Sequence, residues 1–253
     1  MTAADRPVVL VTGVGGGIGS ATARAFKQAG WSVAGVDRRA DATSPDLDLF
    51  VTADIAIERE SRGVFDELET RLGRLDALVN NAAIQIVKRL VDTSPDEWDA
   101  VMGINLRAVY LAIRHAHPML RARGGAVVNI GSVHSVATSA GIAAYVTSKG
   151  GLIALTRVAA LELAADGIRV NAVLPGATDT SMLRGGLTRG RSTDADTDES
   201  MRALERRHVL GRVGRPDEIA QAVLFLADST RSSFIIGQAL VVDGGAAARL
   251  STE

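Results

Sequence analysis

Seven short apolar runs punctuate the chain, and longer amphipathic stretches separate them. They are "PVVLVT" (7–12), "SVAGV" (32–36), a weaker "LFVTA" (49–53), "LDALVN" (75–80), "AVVNI" (126–130), "IRVNAV" (168–173) and "QALVV" (238–242). Strands that are apolar without alternation are covered on both faces, and the helices between them act as crossovers, which makes the sheet parallel. The pattern therefore predicts an α/β fold, a doubly wound parallel sheet of about seven strands with helices on both faces. The helical stretches carry their own start signals. Ser94 and Glu97 form a capping-box pattern with Pro95 at the first helical position, and Pro216 opens "PDEIAQAVLFLAD" with acids in the first turn.

No linker interrupts this alternation, and 253 residues with 47% apolar content suffice for one large core, so residues 1–253 are read as a single domain. The exception is the stretch between Pro175 and Pro216, which is polar, spotted with glycine and poor in strand signal. Long loops in compact domains usually serve function, and residues 177–215 are expected to form a lid over a substrate.

Composition narrows the chemistry. The formal net charge is −1 and the charges of both signs are interspersed, so no nucleic-acid partner is expected. With no cysteine the chain has no thiol nucleophile, no disulfide and no cysteine-bound metal. The first residues, "MTAADRPVVLVTG", are unlike a signal peptide, and no apolar stretch approaches a membrane span. The expectation is a cytoplasmic protein without a membrane partner.

Directly after the first apolar run, "VLVTGVGGGIGSATARAF" places Gly13, Gly17 and Gly19 where a strand gives way to a helix. Glycines there allow a tight turn and let backbone amides approach a pyrophosphate, whose charge the helix dipole favours. Asp37 ends the second run, at the spacing where an acid meets the ribose hydroxyls of an adenosine. This is a Rossmann arrangement, and the acid favours NAD over NADP because a carboxylate repels a 2′-phosphate. Arg38 and Arg39 follow at once and offer a 2′-phosphate some pairing, which leaves NADP as the less favoured cofactor.

A second constellation lies in "AAYVTSK" (143–149). The chain has two tyrosines and three lysines against twenty-five arginines, yet Tyr145 and Lys149 stand four residues apart. On a helix over 143–165 they share a face and converge on one ligand. An ammonium and an oxidised nicotinamide nearby would both favour the phenolate, and a shift of about 3 units corresponds to roughly 4 kcal/mol. Lysine's compact charge suits that double duty better than arginine's flat fork. Ser132, at the C-terminal end of "AVVNI", falls on the sheet edge where ligands bind and can hydrogen-bond the substrate oxygen.

With these motifs in order, the chain resembles the short-chain dehydrogenase/reductase family over almost its whole length. The resemblance rests on "TGVGGGIG" (12–19), Asp37, "ADI" (53–55), "NNAA" (80–83), "IN" (104–105), "GS" (131–132), "YVTSK" (145–149), "PGATDT" (175–180), "GRPDEIA" and "VVDGG". It implies a catalytic tetrad of Asn105, Ser132, Tyr145 and Lys149. In it Tyr145 is the general acid/base, Ser132 positions the substrate oxygen, Lys149 lowers the tyrosine pKa and holds the nicotinamide ribose, and Asn105 binds a relay water. It further implies cofactor contacts from Gly13, Gly17, Ile18, Gly19, Asp54, Ile55, Asn81, Ala82, Ala83, Pro175, Thr178 and Thr180. Ala83 and Thr178 depart from the family's commoner glycine and aliphatic residue. A homotetramer built through helices near 95–121 and 145–165 and the C-terminal segment is the family's usual assembly. The implied reaction is hydride transfer between nicotinamide and a secondary alcohol or ketone.

The remaining candidates are weaker. His134 borders the presumed substrate space, while its spacing from Ser132 and the lack of a G-x-S-x-G elbow argue against a hydrolase. His115 and His117 have no partner at metal-ligand spacing, and no metal site is expected. Arg184, Arg189 and Arg191 in the lid could meet an anionic substrate, although Asp194, Asp196, Asp198 and Glu199 favour mutual pairing. A dinucleotide-binding sensor without turnover is the competing reading. The substrate itself is not legible at this level.

Overall fold

The computed structural model describes residues 6–188 and 194–248. Its centre is one sheet of seven strands: β1 (Val8–Thr12), β2 (Ser32–Asp37), β3 (Leu49–Thr52), β4 (Ala77–Asn80), β5 (Ala126–Ile130), β6 (Arg169–Pro175) and β7 (Ala239–Val242). Their order is β3-β2-β1-β4-β5-β6-β7, and every pairing is parallel. The chain starts in the middle, winds outward to β3, then returns to lay β4 on the other side of β1. Between β1 and β4 the winding reverses, which opens a crevice at the C-terminal edge.

Period-two side chains divide the core into two layers. Val8 and Leu10 of β1 point with Leu78, Val127 and Val170 towards α2 (Glu58–Leu72), α4 (Ala108–Arg121) and α5 (Ala143–Leu163). Val9 and Val11 point with Val79, Val128 and Val173 towards α1 (Gly17–Gln28) and α8 (Pro216–Ala227). Because each β1 side chain belongs to one layer or the other, a shift of register by one residue would exchange the two cores.

The helix before α4 starts as expected. In α3 (Pro95–Met102), Ser94 accepts from the Glu97 amide and Glu97 accepts from the Ser94 amide. Between α3 and α4 the backbone widens into a π-turn, Gly103–Arg107, with Asn105 buried inside it. The stretch expected to be an irregular loop holds two helices, α6 (Ser181–Thr188) and α7 (Asp194–Glu205). A short α9 (Ser229–Ser232) follows α8. Among the described residues no helix is long and apolar enough to cross a membrane.

Candidate active site

The turn after β1 is held open for a ligand. Gly13 has a positive φ of 65°, and a Cβ there would lie 2.7 Å from the Ala82 backbone. Thr12 supports the turn from below: its hydroxyl accepts from the amides of Asn81 and Ala82, while the Asn81 side chain donates to the carbonyls of Thr12 and Gly13. No side chain caps the N-terminus of α1, whose N-cap is Gly16, and its first turn carries no acid. A helix start left bare in this way presents its amides to an anion, as a pyrophosphate requires.

Asp37 stands beside this turn at the end of β2. One carboxylate oxygen accepts from the Gly15 amide (3.0 Å) and the other from the Arg39 amide (3.1 Å). The Arg39 guanidinium donates to the Gly15 carbonyl and pairs with Asp37 at 3.6 Å, so it lies across the glycine turn.

A cavity of about 720 Å³ runs from here along the sheet edge to the ends of β5 and β6. It is lined by Gly13, Gly17, Ile18, Asp37, Asp54, Ile55, Asn81, Ala82 and Ala83 and by Ser132, Tyr145, Lys149, Pro175, Thr178 and Thr180, with Thr180 close against Gly17. Of the residues expected from sequence, Gly19 and Asn105 are absent from its wall. Gly19 is where α1 presses on the turn: a Cβ there would sit 2.3 Å from the Gly13 carbonyl oxygen. Asn105 works behind the wall. Its side chain accepts from the Ile84 amide and donates to the Ile84 carbonyl and to the Ser148 hydroxyl, which in turn donates to the Tyr145 carbonyl. The side chain of Asn105 therefore ties the start of α5 to the segment after β4.

Tyr145, Lys149 and Ser132 meet as the spacing required, with electrostatics that differ from expectation. The Lys149 ammonium is 5.7 Å from the centre of the Tyr145 ring and donates to the Ile130 carbonyl (2.6 Å). Burial pushes the Lys149 pKa down to about 8. Burial also pushes the Tyr145 phenol up, and the Ser132 hydroxyl beside it pulls it only part of the way back. These side chains by themselves do not produce the depressed phenol expected from the sequence, because desolvation outweighs the charge of a lysine whose ammonium is turned towards a carbonyl.

Both threonines after β6 have local duties. The Thr178 hydroxyl donates to the Gly176 carbonyl, and Thr180 donates to the Thr178 carbonyl while accepting from the Leu183 amide at the start of α6. Arg184 forks onto Asp179 (2.7 and 2.9 Å). Arg189 and Arg191 lie outside the described residues. His117 pairs with Asp166 at 2.7 Å, away from the cavity. His134 does line the cavity, edge-on to Tyr145 at 6.3 Å. Sequence reasoning did not single out Gln85, Met182, Leu183, Leu204, Arg207 or His208, which also line the cavity. Most of these come from α6, α7 and the turn after α7, where the sequence carries no strand signal.

A doubly wound parallel sheet whose crevice joins a bare helix start, a ribose-height carboxylate and a Ser-Tyr-Lys cluster defines a dinucleotide-dependent oxidoreductase. The comparisons agree. Residues 13–247 match a family described as "Enoyl-(Acyl carrier protein) reductase". Cyclopentanol dehydrogenase of Comamonas sp. is 42% identical over 197 residues, 78% of this chain and 75% of that one. The ligand-free aldohexose dehydrogenase of Thermoplasma acidophilum superposes with a TM-score of 0.92 at 32% identity, covering 98% and 96% of the two chains. The 3-ketoacyl-(acyl-carrier-protein) reductase of Brucella melitensis, solved with NADH, gives 0.85 at 30% identity, covering 95% and 98%. The chain belongs to the short-chain dehydrogenase/reductase family.

Proposed function

We propose that the protein is an NAD(H)-dependent dehydrogenase that interconverts a secondary alcohol and its ketone, with Tyr145 as the general acid/base. The observation that carries this reading is the convergence of Ser132, Tyr145 and Lys149 on the cavity that the glycine turn and Asp37 also line. Relatives named for cyclopentanol, an aldohexose and a 3-ketoacyl group differ in substrate but share chemistry at one carbinol or carbonyl carbon.

The glycine turn and the start of α1 would hold the pyrophosphate, and Asp37 would accept from the adenosine ribose, which supports NAD over NADP. The bound nicotinamide supplies the hydride donor or acceptor. Lys149 would hold its ribose, and Ser132 would hold the substrate oxygen while Tyr145 exchanges the proton. Asn105, in the π-turn, is assigned the water that links Lys149 to solvent. The excursion from 177 to 215 is assigned the role of substrate cover.

We read the working form as a cytoplasmic homotetramer with no nucleic-acid or membrane partner. Exposed apolar side chains on α4 and α5 (Tyr110, Val158, Leu161) and along α8 and the edge strand β7 (Phe225, Leu240, Val241) support assembly.

The deciding experiment titrates NADH and NADPH by fluorescence and follows reduced-nicotinamide absorbance over a panel of secondary alcohols and ketones. Turnover with NAD that drops about a thousandfold in Tyr145→Phe is the expected result. Tight NADH binding without turnover would replace the enzyme with a sensor, and a preference for NADPH would mean that Arg38 and Arg39 prevail over Asp37.

A further inference from the structure

His208 follows α7 and is 4% exposed, yet it is among the residues that line the same cavity as Ser132 and Tyr145. Its Nδ1 lies 2.9 Å from the carbonyl oxygen of Leu204, one helical turn earlier. A carbonyl only accepts, so Nδ1 must carry the proton of that bond. In the neutral ring the other nitrogen, Nε2, is then left with a lone pair and no hydrogen. Nε2 is buried, and it has no hydrogen-bond partner among the described residues. Buried polar atoms are rarely left unpaired, and those that are tend to mark a place where another molecule completes the bond.

The ring is fixed on its other sides. Its Nδ1 edge is tied back to Leu204, and its Cδ2 lies against Gly244 after β7, where a Cβ would come within 3.6 Å. Leu204 and Arg207 line the cavity with His208, and Nε2 is covered in this structure, so a substrate reaches it only after a neighbouring side chain turns aside.

We infer that His208 is a specificity-determining residue whose Nε2 accepts a hydrogen bond from a hydroxyl of the substrate other than the reacting one. The substrate class that satisfies it is a polyhydroxylated secondary alcohol, such as a vicinal diol or a sugar. A second carbonyl or an ether oxygen has no proton to give, and a purely hydrocarbon alcohol leaves the lone pair bare. The inference rests on the dehydrogenase reading and specifies the substrate for that same site. A site built around a substrate hydroxyl discriminates against the analogue that lacks it far more strongly than an apolar pocket discriminates by size.

The test compares kcat/KM for 1,2-cyclopentanediol with that for cyclopentanol, in wild type, His208→Leu and His208→Gln, with Tyr145→Phe as the chemical control. Each variant is first checked for wild-type thermal unfolding and for its shift on adding NADH. The expected result is a preference for the diol that falls about tenfold or more in His208→Leu and is partly kept in His208→Gln, whose amide oxygen falls near the place of Nε2. A diol-to-alcohol ratio unchanged by His208→Leu, or a wild type that turns over cyclopentanol and shows no preference for the diol, overturns the inference and leaves the dehydrogenase standing. A wild type inactive on both compounds and on the wider alcohol panel, and so indistinguishable from Tyr145→Phe, overturns the dehydrogenase reading and the role of His208 with it.

Discussion

Lys149 carries its charge where water has been taken away. It is 3% exposed, and its pKa falls from 10.5 to about 8. Between those values the unfolded chain binds more protons than the folded one, so stability rises with pH across that window and the full penalty is felt below it. The stability of wild type relative to Lys149→Met should therefore increase by about 1 to 2 kcal/mol from about pH 7 to about pH 9.5, measured by denaturant unfolding. A constant difference would mean that the ammonium is better solvated than its surroundings suggest. The upper limit of the comparison is set by Tyr145, whose raised pKa begins to act in the opposite sense only above about 10. At this scale the sequence exposed Tyr145, Lys149 and Ser132 because helical spacing and a strand end dictate where such side chains go. It did not expose the contacts by which Gly19 packs on the Gly13 carbonyl and Asn105 ties Ile84 to Ser148, because these depend on how separate segments meet in the fold. His208 was missed because its place on the cavity wall depends on how the end of α7 folds back against Gly244, a tertiary fact with no local signature.

Arg169, an arginine at the head of an apolar strand, is explained by two helix ends. Its guanidinium donates to the carbonyls of Leu226, Ala227 and Ser232 and to the Ser232 hydroxyl, while itself only 8% exposed. The last carbonyls of α8 have no partners within the helix and lie at the negative end of its dipole, so a flat, many-pronged cation suits them. Arg169→Met should lower the unfolding free energy by about 2 to 4 kcal/mol, with Arg169→Lys recovering only part, as read by chemical denaturation. Equal stability of the three proteins would show that α8 terminates well without the clamp. Helix starts were more legible than this helix end, since Ser94 and Glu97 announce theirs within four residues, whereas the clamp spans 57 to 63. The helices α6 and α7 were read as loop because their stretch is polar. Met201 and Leu204 give α7 only one narrow apolar stripe, too little for the helix to be read from the pattern.

Across the whole molecule, strand count and two-sided covering follow from runs that are apolar without alternation, and this is the part the sequence displayed most fully, whereas the strand order is known only from the structure. Assembly is a matter of what the two covered faces leave outside. Leu161 is 81% exposed on α5, and both Leu240 and Val241 are partly exposed on the sheet edge. Light scattering should give about four times the chain mass of 26.4 kDa, and Leu161→Asp should lower that mass and the thermal midpoint together. A wild type that is monomeric at micromolar concentration would sink the tetramer. One further feature bears on how such a chain can change over time. The excursion that carries α6 and α7 leaves and rejoins the body at one place, where Asp179 donates to the Gly214 carbonyl and Gly214 donates to that of Ala177. Its two ends are pinned to each other independently of what lies between, and closing a longer or shorter loop on such a pin adds little entropy cost. The stretch can therefore be lengthened, trimmed or exchanged between relatives while Ser132, Tyr145 and Lys149 stay where β5 and α5 put them, so new alcohols can be acquired without rebuilding the machinery that oxidises them.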